Sequence, residues 1–155
     1  MWRSLPELMS DVTSLARTLR ILWLAICASG GLAMAVFGYL ATTSDPTMPE
    51  AAEVGFYGVA LLSMVATGIA FTLIRAMERR LLQTETESEA GGIIRTFGIG
   101  ALGTAEMPAI ASGVAAFLTG ELLVLAFGMM LFAFALLTWP SDDRVAYWLA
   151  LGQRG

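Results

Sequence analysis

The sequence predicts an all-α integral membrane protein, a four-helix transmembrane bundle with an interfacial amphipathic helix at each terminus. Composition is the first reason. The 155 residues are 57% hydrophobic and 14% charged, with a mean hydropathy of +0.72, whereas soluble domains carry roughly 25% charged residues. The second reason is a series of four apolar runs, each close to the roughly 20 residues that cross a bilayer core as a helix. The third is the placement of the nine basic residues, all of them arginine.

In residues 4–20, Leu5, Leu8, Met9, Val12, Leu15 and Leu19 recur at spacings of three and four and form one apolar stripe on a helix. Ser4 and Glu7 have the form of a capping box, and Pro6 is tolerated in a first turn. With Trp2 at its edge and Arg3, Arg17 and Arg20 facing headgroups, this helix is expected to lie along the membrane surface. Its alternative is packing on the extramembrane surface of a partner. The first span covers about 21–41. It is too long for a signal-peptide core and is expected to be retained. Gly30, Gly31, Ala35 and Gly38 give it a face that another helix can approach closely. Cys27, the one cysteine, is expected to be a buried free thiol; no disulfide framework or metal-ligand spacing can be built on it.

Residues 42–53, TTSDPTMPEAAE, form a short acidic loop. The second span covers about 54–74, opens with the interfacial aromatics Phe56 and Tyr57, and is followed by AMERRLLQ, which extends the helix toward water. A polar segment from Glu78 to Gly92 is expected to break the helix, with Glu85, Glu87 and Glu89 solvated or presented to a basic partner. The third span covers about 93–118. Thr119 and Gly120 then make a tight turn, and Glu121 begins the fourth span, about 121–139, where the helix dipole favours an acid. Met129 and Met130 are expected to fill its core. Pro140 ends that helix, and Ser141 caps a second interfacial segment, 141–152.

An even number of crossings puts all nine arginines on one face, which the positive-inside rule assigns to the cytoplasm. Both termini are then cytoplasmic, the protein belongs to the plasma (inner) membrane, and the outward loops at 42–53 and 119–121 carry acidic residues alone. Trp2, Trp23, Trp139 and Trp148 are expected at the inner interface. A net charge of -4 argues against a nucleic-acid partner.

Glu106 carries the chemistry. It lies in the middle of the third span, IIRTFGIGALGTAEMPAIASGVAAFL, and an ionisable group at such depth marks function by default. Arg95 lies eleven residues earlier on the same face, about 16 Å along a helix, too far to pair with it. Desolvation without a countercharge favours the neutral acid, so Glu106 is expected to hold a proton that it can exchange, or to bind a cation. Gly103, Ala109 and Gly113 should let a neighbouring helix come close and shield the carboxyl. Pro108 cannot donate its amide, frees the carbonyl of Thr104 and invites a kink. In the competing expectation the neutral acid hydrogen-bonds a hydroxyl such as Ser29, Ser63 or Thr67 and serves only as interhelical packing. Gly98, Gly100 and Gly103 form a G-x-G-x-x-G, but without a strand before it the pattern implies helix packing rather than a nucleotide site.

The run Ser88–Glu106, SEAGGIIRTFGIGALGTAE, followed by MPAIASGVAAFL, resembles the carboxylate-bearing helix of the proteolipid c subunits of rotary ATP synthases. Arg95, Glu106, Ala109 and Gly113 stand where that family has its loop-proximal arginine, its mid-membrane acid and its small residues. Pro108 departs from the pattern, and the second span lacks the family's repeated glycines. The resemblance implies an ion-binding role for Glu106. The expected protein is therefore a non-enzymatic membrane subunit, without cofactor or metal, in a homo-oligomer or among other membrane subunits. The alternative is an accessory subunit that stabilises a larger complex. No His, no Lys and one Cys leave little for catalysis.

Overall fold

Three long helices carry the first three apolar runs: α1 (Leu5–Thr43), α2 (Ala52–Leu81) and α3 (Glu87–Thr119). Each contains a stretch long and apolar enough to cross a membrane. The fourth run is a chain of short pieces: a 3-10 turn (Leu122–Val124), α4 (Leu125–Gly128) and α5 (Met130–Leu137), followed after a bend of 71° by α6 (Asp142–Leu151). The computed structural model describes residues 5–84 and 86–152, with side chains from Val12 onward except that of Glu87, and no strand occurs among them. The Ser4–Glu7 cap, Trp2, Arg3, Glu85 and Arg154 lie outside the described residues or side chains.

The N-terminal helix and the first span are one element. No break separates residues 4–20 from 21–41, because nothing at Arg20–Ile21 interrupts helical propensity, and α1 runs for 39 residues, about 58 Å. The bilayer core is only about 30 Å thick, so α1 projects well beyond it. The described part of its apolar stripe is buried within the chain: Leu15, Ala16 and Leu19 join Met77 and Leu81 of α2, Ala90 and Ile94 of α3, and Val145, Trp148 and Leu149 of α6 in one core. Arg20 fastens this end. Its Nη2 pairs with Asp142 Oδ1 at 3.1 Å, and its Nε donates to the carbonyl of Pro140 at 3.1 Å. The stripes that predicted surface-lying segments at both termini therefore cover each other, which buries apolar area without lipid.

The same core corrects the tryptophans. Trp23 and Trp148 are buried, and Trp139 is half-buried. Trp23 lies against Gly98, where an added Cβ would stand 2.9 Å from its Cη2, so its bulk packs the interior instead of marking an interface.

The expected polar break between α2 and α3 is short. Glu87 through Gly92 are helical, since Thr86 adopts an extended backbone and its hydroxyl accepts from the amide of Glu89 at 3.4 Å. Thr86 and Glu89 have the spacing of a capping box, which starts the helix before the two glycines. At the other end of the bundle the turn is as expected. Gly120 takes φ +76°, a left-handed cap that only glycine adopts without strain. Glu121 accepts from the amide of Leu123 at 3.1 Å, and the amide of Met48 donates to the carbonyl of Leu118 at 2.8 Å, pinning the acidic loop.

The fourth run departs most from expectation. It opens with a 3-10 turn and ends at Leu137, short of the expected 121–139, and residues 122–137 cover only about 24 Å. Met129 is 55% exposed rather than core filler. Gly128 is pressed against the hydroxyl of Ser112 and the thioether of Met34, a contact tight enough to set the local path of the chain.

α3 is the axis of the molecule. α1 and α2 pack along it and not along each other, and α4 and α5 pack against it between them, leaving one stripe of α3 open. Small residues make this geometry: a Cβ at Gly113 would stand 3.3 Å from the carbonyl of Ala33 and from Phe37 Cβ.

Candidate functional site

Glu106 lies near the middle of α3, and Ser29 near the middle of the apolar stretch Val12–Thr43 of α1. The hydroxyl of Ser29 is hydrogen-bonded to Glu106 Oε1 and stands 3.0 Å from the carbonyl of Ile26. One hydroxyl has one proton to donate and two lone pairs to accept with. If Ser29 gives its proton to Ile26, the carboxyl of Glu106 must supply the proton of the second bond. If Ser29 gives it to Glu106, the carboxylate is met by one neutral donor.

Gly30 makes this meeting sterically feasible. A Cβ there would lie 3.3 Å from Glu106 Cγ, 3.3 Å from Ala109 Cβ and 2.7 Å from Leu131 Cδ2, so even a methyl group would crowd the acid and require Leu131 to shift. Cys27, half-buried rather than buried, lies one turn before Gly31 on α1 and within electrostatic reach of Glu106.

The predicted supporting residues divide. Ala109 and Gly113 are buried against α1, as the small-residue pattern predicted. Gly103 is not: nothing lies within 4 Å of a Cβ placed there. It belongs to the outer stripe of α3, with Ile99, Met107 and Ile110, which α1 and α2 flank without covering. Glu106 is half-buried at the edge of this stripe, so the shielding expected at Gly103 is not supplied within the chain. Thr104 donates to the carbonyl of Gly100 at 2.8 Å, a bond inside its own helix rather than one to Glu106. Pro108 is buried, and α3 continues through it without interruption. Arg95 is exposed and has no ion-pair partner among the described residues.

Of the hydroxyls named from sequence, Ser29 is the partner; Ser63 is buried and bonded to the carbonyl of Val59 at 2.8 Å. What sequence reasoning missed is Gly30 as the direct neighbour of the acid. Its signal was the consecutive Ser29, Gly30 and Gly31 at mid-span, the one place on α1 where a hydroxyl adjoins two residues without side chains. Among the described residues no group of three or more His, Cys, Asp or Glu gathers. One carboxyl and one hydroxyl fall well short of the six to eight oxygens that calcium takes.

No family model, curated protein or solved structure matches the chain. The meaning of the site rests on its own geometry.

Proposed function

We propose that this chain is a non-enzymatic, multi-pass membrane subunit in which Glu106 binds and relays a proton. The observation that carries this reading is the Ser29–Glu106 bond at mid-span, beside an outer stripe that the chain leaves uncovered. A carboxyl at that depth is stable when neutral or paired, and Ser29 accepts from the neutral acid while its own proton goes to Ile26. Gly103 leaves room on the stripe for a close approach by a neighbouring helix, which fits assembly with further copies or other membrane subunits. The pattern shared with rotary proteolipids belongs to the same reading. The positive-inside rule turns the arginine-rich end toward the cytoplasm, and both termini with it, in the inner membrane.

The test is labelling by a carbodiimide that modifies protonated carboxyls in lipid. We expect one labelled residue, Glu106, with a rate that falls as pH rises. Absence of labelling, or a rate indifferent to pH, contradicts the proposal.

The second reading is an accessory subunit in which Glu106 only packs, and it is favoured by the same bond, because that bond ties α1 to α3. Glu106→Gln separates the two. Glutamine keeps a donor and an acceptor but cannot titrate, so normal assembly with lost proton coupling supports the relay, and unimpaired function supports packing.

A further inference from the structure

A second pair of polar groups lies away from Glu106, at the elbow where the fourth run turns into α6. A cavity of about 340 Å³ opens there between α2, α5 and α6, lined by Phe71, Ile74, Glu78, Leu137, Arg144 and Tyr147, among others. Ligand pockets begin at about 300 Å³. Arg144 is fixed in place: its Nη1 donates to the carbonyl of Leu137 at 2.7 Å and to that of Trp139 at 3.2 Å, acceptors left over where α5 ends. Its Nε and Nη2 have no partner among the described residues. Glu78, half-buried on α2, has no ion pair or hydrogen bond among them either. An acid and a base thus line one cavity without meeting.

Apolar surface leads away from these charges. Phe71 is 41% exposed and Leu137 64%; Phe71 belongs to a stretch apolar enough to cross a membrane, and Leu137 ends the apolar run before the bend into α6. A soluble zwitterion would leave that surface unused, whereas a phospholipid would cover it with an acyl chain.

We propose that the elbow binds the headgroup of a phospholipid bearing a primary amine, of the phosphatidylethanolamine class. The phosphate takes the free Nε and Nη2 donors of Arg144, the ammonium donates to Glu78, and an acyl chain lies over Leu137 and Phe71. A phosphatidylglycerol would satisfy Arg144 but offer Glu78 only neutral hydroxyl donors in place of an ammonium. A phosphatidylcholine has no N–H to donate.

Native mass spectrometry of the full chain, released from detergent with phosphatidylethanolamine or phosphatidylglycerol of identical acyl chains, tests this. The two lipids differ in whether Glu78 meets an ammonium or a neutral hydroxyl, so the wild type is expected to retain the ethanolamine lipid about tenfold better. Glu78→Gln, which breaks no bond among the described residues, is expected to bring the two lipids close to parity. Equal retention by the wild type, or a preference that survives Glu78→Gln, overturns the proposal. Soluble O-phosphoethanolamine is expected not to compete at lipid concentrations; full competition by it overturns the lipid as the ligand.

Discussion

Ser29 faces two acceptors with a single proton. The carbonyl of Ile26 and a carboxyl oxygen of Glu106 both lie within its reach, and under the proposed function the acid supplies the proton of the second bond. Removing the hydroxyl should therefore affect both stability and reactivity. Ser29→Ala is expected to destabilise the bundle by about 0.6–2 kcal/mol, the range of interhelical hydrogen bonds in membranes, as read from thermal unfolding in detergent. It should also speed carbodiimide labelling of Glu106, because the acid loses its protecting partner; unchanged stability and labelling would show that the bond contributes nothing. Glu106 was legible in the sequence because it alone interrupts a long apolar run. Its partner was legible only as a class, since the spacing of residues cannot say which of Ser29, Ser63 and Thr67 a distant helix will present. Gly103 was misjudged for a related reason: a small residue permits close approach, but only the arrangement of the other helices decides whether one comes.

Among the elements, α3 organises the rest. Its small residues divide into those that admit α1 and those that stay open, and this division is testable by adding side chains. Gly113→Leu drives atoms into the backbone of Ala33 and Met34 and is expected to cost about 1–3 kcal/mol, in line with overpacked cores. Gly103→Leu meets nothing within the chain and is expected to leave unfolding of the monomer unchanged. Equal damage from both would contradict the packing described. The four apolar runs were readable from composition, and the cap at Ser141 from its local pattern: its hydroxyl accepts from the amide of Arg144 at 3.2 Å. The cap at Thr86 obeys the same rule but was hidden in a segment whose acids and glycines suggested a loop. That the described stripe of α1 meets α6 instead of lipid depends on contacts between distant segments, which no window along the chain contains.

At the scale of the whole molecule, the alternation of long helices brings the described arginines to one end and Asp45, Glu50, Glu53 and Glu121 to the other. The described apolar residues of α1 and α6 close the arginine end as part of the main core. In a Cys27→Ser background, Ser44→Cys should react with an impermeant thiol reagent added outside intact cells, and Gln83→Cys only after permeabilisation; labelling of both from one side would contradict a membrane crossing by α2. Within that frame everything mechanistic depends on a neutral acid at mid-membrane. The most direct measurement is infrared spectroscopy of the protein in bilayers at neutral pH. We predict a carbonyl stretch of a protonated, hydrogen-bonded carboxyl that disappears in Glu106→Gln and shifts in Ser29→Ala. A spectrum in which Glu106→Gln removes only carboxylate bands would contradict it.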